Sequence, residues 1–307
     1  MEWRGRRESS NIEDRRSEGR SGSSGGLGGL GGLGGGGRRT GGSVGLGGGL
    51  GLVAIVVVGW FFGIDLTPLL NGGGTVGSSG ASMSAPEPIT QDDKDAAQFV
   101  SVTLADTEDI WAKVFKEQVG KPYHPVTLVL YKGVTQSSCG DASGATGPFY
   151  CPGDKKVYLD TGFFVTMKQE LGINGDFANA YVVAHEVGHH VQDELGILGK
   201  ANDVRSRSSE ADSNEISVRI ELQADCLAGI WGRDVQATFG TIEPGDFDEA
   251  INAAKQIGDD TLQRNAGQVP MPDSFTHGTS AQRSKWFQIG LKSGQLSACD
   301  TFKVANP

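Results

Sequence analysis

The chain has 307 residues, with 27 Lys and Arg against 37 Asp and Glu, and 48 glycines. Once the glycine-rich stretches that bury no apolar surface are set aside, that length suits one domain of ordinary size. A net charge of −10 argues against a nucleic-acid surface, which needs clustered Lys and Arg.

Charge is divided along the chain. Residues 1–40 carry 8 Arg and 5 acids, no charge stands between Thr40 and Ile64, and the part from Asp65 onward holds 19 basic and 32 acidic residues. Residues 1–44, with "GGL" repeats from about residue 20, read as a disordered Gly- and Arg-rich cytoplasmic tail. The uncharged run at 45–64 is long enough to span a bilayer as a helix, with Trp60 at one interface. Arginines lie upstream of it, so the positive-inside rule places the bulk of the chain outside the cytoplasmic membrane. No small-residue cleavage site directly follows the run, which favours an uncleaved anchor over a signal peptide. Residues 65–94 read as a flexible linker and 95–307 as the folded domain.

"LADTEDIWAKVFKEQVG" predicts a helix capped by Asp106 or Thr107 and ended by Gly120. "VTLVLY", Val126 to Tyr131, predicts a buried strand, and "GPFYCPGDKKVYLD" a hairpin turning at Pro-Gly-Asp. Helical periodicity follows at Asp176–Glu194, stopped by Gly196. It returns at about Ala211–Phe239, with a break expected near Gly229, and then at Asp246–Gln263 and Ser280–Leu291. A short sheet followed by several helices is the α+β class.

All four cysteines, Cys139, Cys151, Cys226 and Cys299, lie beyond the apolar run, where disulfides persist. Of the three pairings, Cys139–Cys151 with Cys226–Cys299 is expected, because the first two bracket one short loop. Four buried free thiols are the alternative.

The stretch "AYVVAHEVGHHVQD" holds three of the five histidines. His185 and His189 are four apart, so on a helix both rings leave one face and can meet one Zn2+. Glu186 between them can act as general base on a water at that metal, the HExxH arrangement. His190 points about 100° away around the helix and is assigned to packing. A third ligand is needed. A metzincin would place a histidine six residues past His189, where Leu195 stands. Glu210, Glu215 and Glu221 remain. In "ELQADCLAG", Glu221 and Asp225 share one face of a largely apolar helix, so Glu221 is the expected ligand. Asp225 is then expected to hold the far nitrogen of a ligating histidine. Glu215 is the runner-up.

HExxH followed by ExxAD resembles the gluzincin peptidases of the membrane-bound CAAX prenyl protease class. The set "CGDASGATGPFYCPGDKKVYLDTGFF", "AHEVGHHVQ", "ELQADCLAG" and "HGTSAQR" resembles more closely a neutral zinc metallopeptidase family of bacteria. The resemblance implies a zincin-like fold after a single N-terminal membrane helix, with zinc on residues matching His185, His189 and Glu221. His277 and Arg283 in "HGTSAQR" match a His-to-Arg spacing that the prenyl class places over the scissile carbonyl, although Gly278 stands where that class has proline. There His277 can stabilise the oxyanion. Its plainer role is packing at a helix start capped by Thr279 and Ser280. "KVYLD", Lys156 to Asp160, is expected either as an edge strand that a peptide substrate extends, or as a core strand.

The sequence thus predicts a membrane-anchored zinc peptidase acting on protein or peptide substrates by a Glu-activated water. An inactive zinc-binding scaffold and a zinc amidase of cell-wall crosslinks are the alternatives. The acidic balance favours basic substrates.

Overall fold

The computed structural model describes residues 1–18, 88–143 and 146–307. Among them, six strands and eight α-helices make the mixed α+β arrangement expected. The first half of the described elements comprises β1 (Ile12–Asp14), α1 (Gln91–Val114), β2 (Thr127–Tyr131), β3 (Val134–Ser137), β4 (Gly140–Ser143), β5 (Phe149–Cys151) and β6 (Lys156–Asp160), with β3 and β4 paired as a separate two-stranded sheet. Helices follow: α2 (Phe163–Glu170), α3 (Asp176–Glu194), α4 (Ile197–Arg205), α5 (Glu210–Phe239), α6 (Asp246–Gln256), α7 (Asp259–Asn265) and α8 (Ser280–Ser293).

The main sheet has the order β1-β2-β6-β5. β1, β2 and β6 are parallel, with Leu128 opposite Val157, and β5 closes one edge antiparallel to β6. Parallel strands need long crossovers, and α1 supplies the one between β1 and β2. β6 is therefore an inner strand and the edge on the α3 side is β5, which decides between the two expectations at Lys156–Asp160 in favour of the core strand. Tyr158 stacks on Phe149 and donates to Asp154, in a small cluster with Val129 and Tyr131.

Two boundaries move. α1 begins sixteen residues before the expected cap, because Thr90 and Asp93 form a reciprocal capping box. The stretch after it, "QDDKDAAQ", is polar enough to hide the helix from a search for apolar period. Asp106 and Thr107 are interior, and residues 91–94 are helix rather than linker.

The second change concerns the N-terminus. Residues 1–18 are part of the domain and not a tail without fold. Ile12–Asp14 extend the sheet beside β2, Arg6 makes a two-pronged pair with Asp106, Lys156 reaches Glu13 at 2.6 Å, and Trp3 packs edge-on against Phe99. Backbone pairing and these ion pairs outweigh a composition that looked unfoldable. The expected membrane helix at 45–64 lies outside the described residues. Among the described residues no helix is long and apolar enough to cross a membrane.

α5 runs unbroken through Gly229. A Cβ at Gly229 would collide with the Phe287 carbonyl oxygen, and one at Gly290 with the Cys226 carbonyl oxygen. These two glycines let α5 and α8 touch backbone to backbone, so Gly229 marks a crossing and not a break. The expected helix 246–263 is two helices, parted where Gly258 abuts the backbone of Ser280. Cys139–Cys151 and Cys226–Cys299 are disulfides, in the expected pairing. The second ties the C-terminal segment to α5.

Candidate metal centre

α3 and α5 carry the site. α3 has the bounds its periodicity predicted, and His185 and His189 stand on one face with ring centroids 4.9 Å apart. Gly188 fits against Ala224, whose carbonyl oxygen a Cβ would approach to 3.2 Å. That close contact brings Glu221, one turn earlier on α5, opposite both rings. His185 Nε2 is 3.1 Å from Glu221 Oε2, and His189 Nε2 is 3.5 Å from Glu221 Oε1. One ligand atom from each residue lies within 4.8 Å of the others.

The far nitrogens are held as well. His185 Nδ1 lies 2.9 Å from Asp225 Oδ1, and His189 Nδ1 lies 2.9 Å from Gln192 Oε1. Each partner oxygen accepts, so each Nδ1 carries a proton, and each Nε2 faces Glu221, where it gives up its own proton to take a metal. Two imidazole Nε2 atoms and a carboxylate converging in this way are a donor set that suits zinc. Gln192 was not anticipated. Its spacing of three from His189, in "HExxHxxQ", was the available signal.

Asp225 is fully buried and bonded on every side. It also accepts from Tyr181 Oη, and from Arg283 Nε and Nη2 at 2.9 and 3.0 Å. Burial opposes its charge, but Arg283 and His185 outweigh that and hold the carboxyl below its usual range. Arg283 is therefore pinned to Asp225, with further donors on Tyr181 and the Ile257 carbonyl.

Burial disfavours charge on His185 too, yet Asp225 and Glu221 hold its pKa up at about 10 in the metal-free chain. Glu221 is driven well below the usual carboxylate range: burial works against its charge, and the two histidines win. Glu186 is buried beside them, and burial raises its carboxyl despite His189 and His185.

The other candidates lie elsewhere. Glu215 is exposed and pairs with Arg219 at 2.7 Å; Glu194 pairs with His124. Glu210 is exposed. His190 meets the His124 carbonyl at 2.7 Å and Tyr150 Oη at 3.3 Å, a packing role. His277 is close enough for its charge to act on Glu221. Its Nδ1 is 3.2 Å from Asp259 Oδ1, while Asp259 Oδ2 accepts from the backbone N–H groups of Thr276, His277 and Gly278. Sequence reasoning missed Asp259, which lies eighteen residues from His277. Thr279 is the cap of α8, in a capping box with Gln282.

An α+β domain carrying two histidines and a glutamate on a packed helix pair, with both imidazoles braced from behind, is built as a metal-binding protein. The chain matches the family described as "Putative neutral zinc metallopeptidase" over residues 1–302, and it belongs to that family. It is 46% identical over 302 residues to the uncharacterised protein YpfJ of Escherichia coli strain K12, spanning 98% of this chain and 99% of that one. It is 40% identical over 222 residues to the uncharacterised protein Rv2575 of Mycobacterium tuberculosis strain H37Rv, covering 69% of this chain and 74% of the relative. No solved structure matches it.

Proposed function

We propose that the chain is a membrane-attached, zinc-dependent peptidase of zincin-like fold, with zinc on His185, His189 and Glu221. The observation that carries this is the convergence of both Nε2 atoms on Glu221 while Asp225 and Gln192 hold both Nδ1 atoms. Zinc held there lowers the pKa of a coordinated water toward neutrality and polarises a substrate carbonyl. Glu186 takes the proton of the attacking water on its carboxylate and returns it to the leaving amine. Asp225, fixed by Arg283 and Tyr181, keeps His185 turned toward the metal. Asp259 orients the His277 imidazole, which supplies a proton donor to the oxygen that becomes negative during attack.

Attachment rests on the apolar run at 45–64, and the extracytoplasmic side rests on the two disulfides. Residues 1–18 share a sheet with the domain. The anchor we propose therefore keeps both on the outer face, in place of a cytoplasmic tail joined to the domain by one crossing.

Glu186→Gln in the full chain should retain zinc while peptide hydrolysis falls by orders of magnitude; a zinc-loaded variant as fast as the parent would overturn the mechanism. Glu221→Ala should lose zinc and Glu215→Ala should keep it, which separates the two candidate ligands.

A further inference from the structure

Two buried glutamines stand behind His189. Gln192, on α3, accepts from His189 Nδ1 through Oε1 at 2.9 Å. Its Nε2 donates to the Ile220 carbonyl at 2.8 Å and to Gln223 Oε1 at 3.0 Å. Gln223, on α5, donates in turn through its own Nε2 to the Cys299 carbonyl at 2.9 Å. A continuous row of hydrogen bonds thus runs from a metal-binding imidazole, through both helices of the site, to the C-terminal segment.

The direction of that row is fixed by the backbone. A carbonyl only accepts, so Ile220 and Cys299 each require the NH2 end of the amide that faces them. Gln223 is left with its oxygen toward Gln192, and Gln192 with its oxygen toward His189. Turning either amide over would set oxygen against oxygen in a buried place, where unmet polar groups are costly. Gln192 therefore has only an acceptor to offer, which keeps the proton on Nδ1 and reserves Nε2 for the side that faces Glu221.

The far end of the row is held independently. Cys299 is bonded to Cys226, which lies one turn beyond Gln223 on the same side of α5. On the other side of the Cys299 carbonyl, Thr301 Oγ1 donates to the Arg219 carbonyl at 2.7 Å, and Arg219 Nη1 to the Thr301 carbonyl at 2.6 Å. His185 is braced by an anion, Asp225, whereas His189 is braced by neutral amides that end on a disulfide-tethered segment.

Resting on the zinc site read above, we propose that Gln223 is a positioning residue for the metal, acting through Gln192 on His189, and that the Cys226–Cys299 disulfide holds the carbonyl from which this relay takes its direction. Metal affinity then depends on a bond that forms in an oxidising compartment.

The test uses the full chain with Zn2+ or Co2+. Chelator competition reads affinity, the visible spectrum of the cobalt form reads ligand geometry, and thermal unfolding of the metal-free chain reads folding. Gln223→Met and Gln223→Leu should each bind zinc about tenfold more weakly than the parent, with a shifted cobalt spectrum. Gln192→Met should lose at least as much, and Gln223→Met added to it should lose no more, because the relay is already cut. Cys226→Ala with Cys299→Ala should weaken zinc binding in the parent and not in Gln223→Met. Parent-like affinity and spectrum in a folded Gln223 variant, or losses that add in the double variant, overturn the role of Gln223 and leave the zinc site standing. Parent-like affinity in the cysteine pair overturns the part given to the disulfide, and decides against the relay if neither Gln223 variant folds. A parent that takes up neither metal overturns the zinc site, and the proposal with it.

Discussion

One oxygen of Asp225 lies 2.9 Å from His185 Nδ1, and the other lies 2.9 Å from Arg283 Nε. A single buried carboxylate thus couples a metal-binding imidazole to a guanidinium from a different helix. α8 reaches Asp225 through Arg283, so the orientation of His185 depends on how α8 packs against α5.

Asp225→Asn keeps the shape of that link and removes its charge. Zinc affinity should fall about 10- to 100-fold, as for other groups that brace a metal ligand. Stability should fall by about 3–5 kcal/mol, because Arg283 is left as an uncompensated buried charge. Chelator competition and thermal unfolding read the two effects separately.

His277 is held above its ordinary value of 6.5: burial opposes the charge, and the Asp259 carboxylate outweighs burial. Its cationic form therefore persists to higher pH than that of a free imidazole and is lost as pH rises through the folded value. Asp259→Asn removes the carboxylate and leaves burial unopposed, so the alkaline limb of kcat should move to lower pH. His277→Asn should lower kcat about 10²-fold with zinc content unchanged. A pH–rate profile unchanged in Asp259→Asn would separate the pair from catalysis.

Asp93 accepts from Lys132 Nζ, Thr161 Oγ1, and both the backbone N–H and the hydroxyl of Thr90. Burial opposes its charge, but Lys132 and Thr90 outweigh burial and depress its pKa below 3.8. A depressed carboxyl contributes stability that is present above its unfolded value and lost as pH falls through the folded one. Asp93→Asn should cost about 2 kcal/mol at pH 7. Melting curves of variant and parent should converge below pH 3.8.

Gly290→Ala places a methyl group on the Cys226 carbonyl. The helices must separate, at a cost of about 3 kcal/mol. Because Glu221 and Asp225 lie on the same helix as that contact, zinc affinity should fall along with stability. Denaturant unfolding and metal titration of the same sample check both.

Ser10 and Ser206 are exposed. If residues 1–18 and the domain share the outer face, Ser10→Cys and Ser206→Cys should both react with a membrane-impermeant maleimide on intact cells. Labelling of Ser206→Cys alone would restore the arrangement with a cytoplasmic tail.

Much of the site was legible because its signals are local. Residues four apart on a helix share a face whatever surrounds them, so "HEVGH" and "ELQAD" announced two pairs of side chains. The bounds of α3 followed from the same periodicity. The pairing of Arg283 with Asp225 was not legible, because spacing along the chain cannot say which buried carboxylate a guanidinium meets. The start of α1 was missed because its first two turns are polar, and its cap is a pairing between Thr90 and Asp93.

The sequence by itself determined which side chains could act together within one helix, and that residues around His185 had the chemistry to hold a metal. Only the tertiary structure decided that Glu221 faces both imidazoles, that Asp259 stands behind His277, that β5 and not β6 is the edge strand on the α3 side, and that Ile12–Asp14 extend the sheet. Neighbours along a helix are set by backbone geometry over a single turn. Partners tens to hundreds of residues apart are set by register, close glycine contacts and buried charge, which exist only once the whole chain has packed.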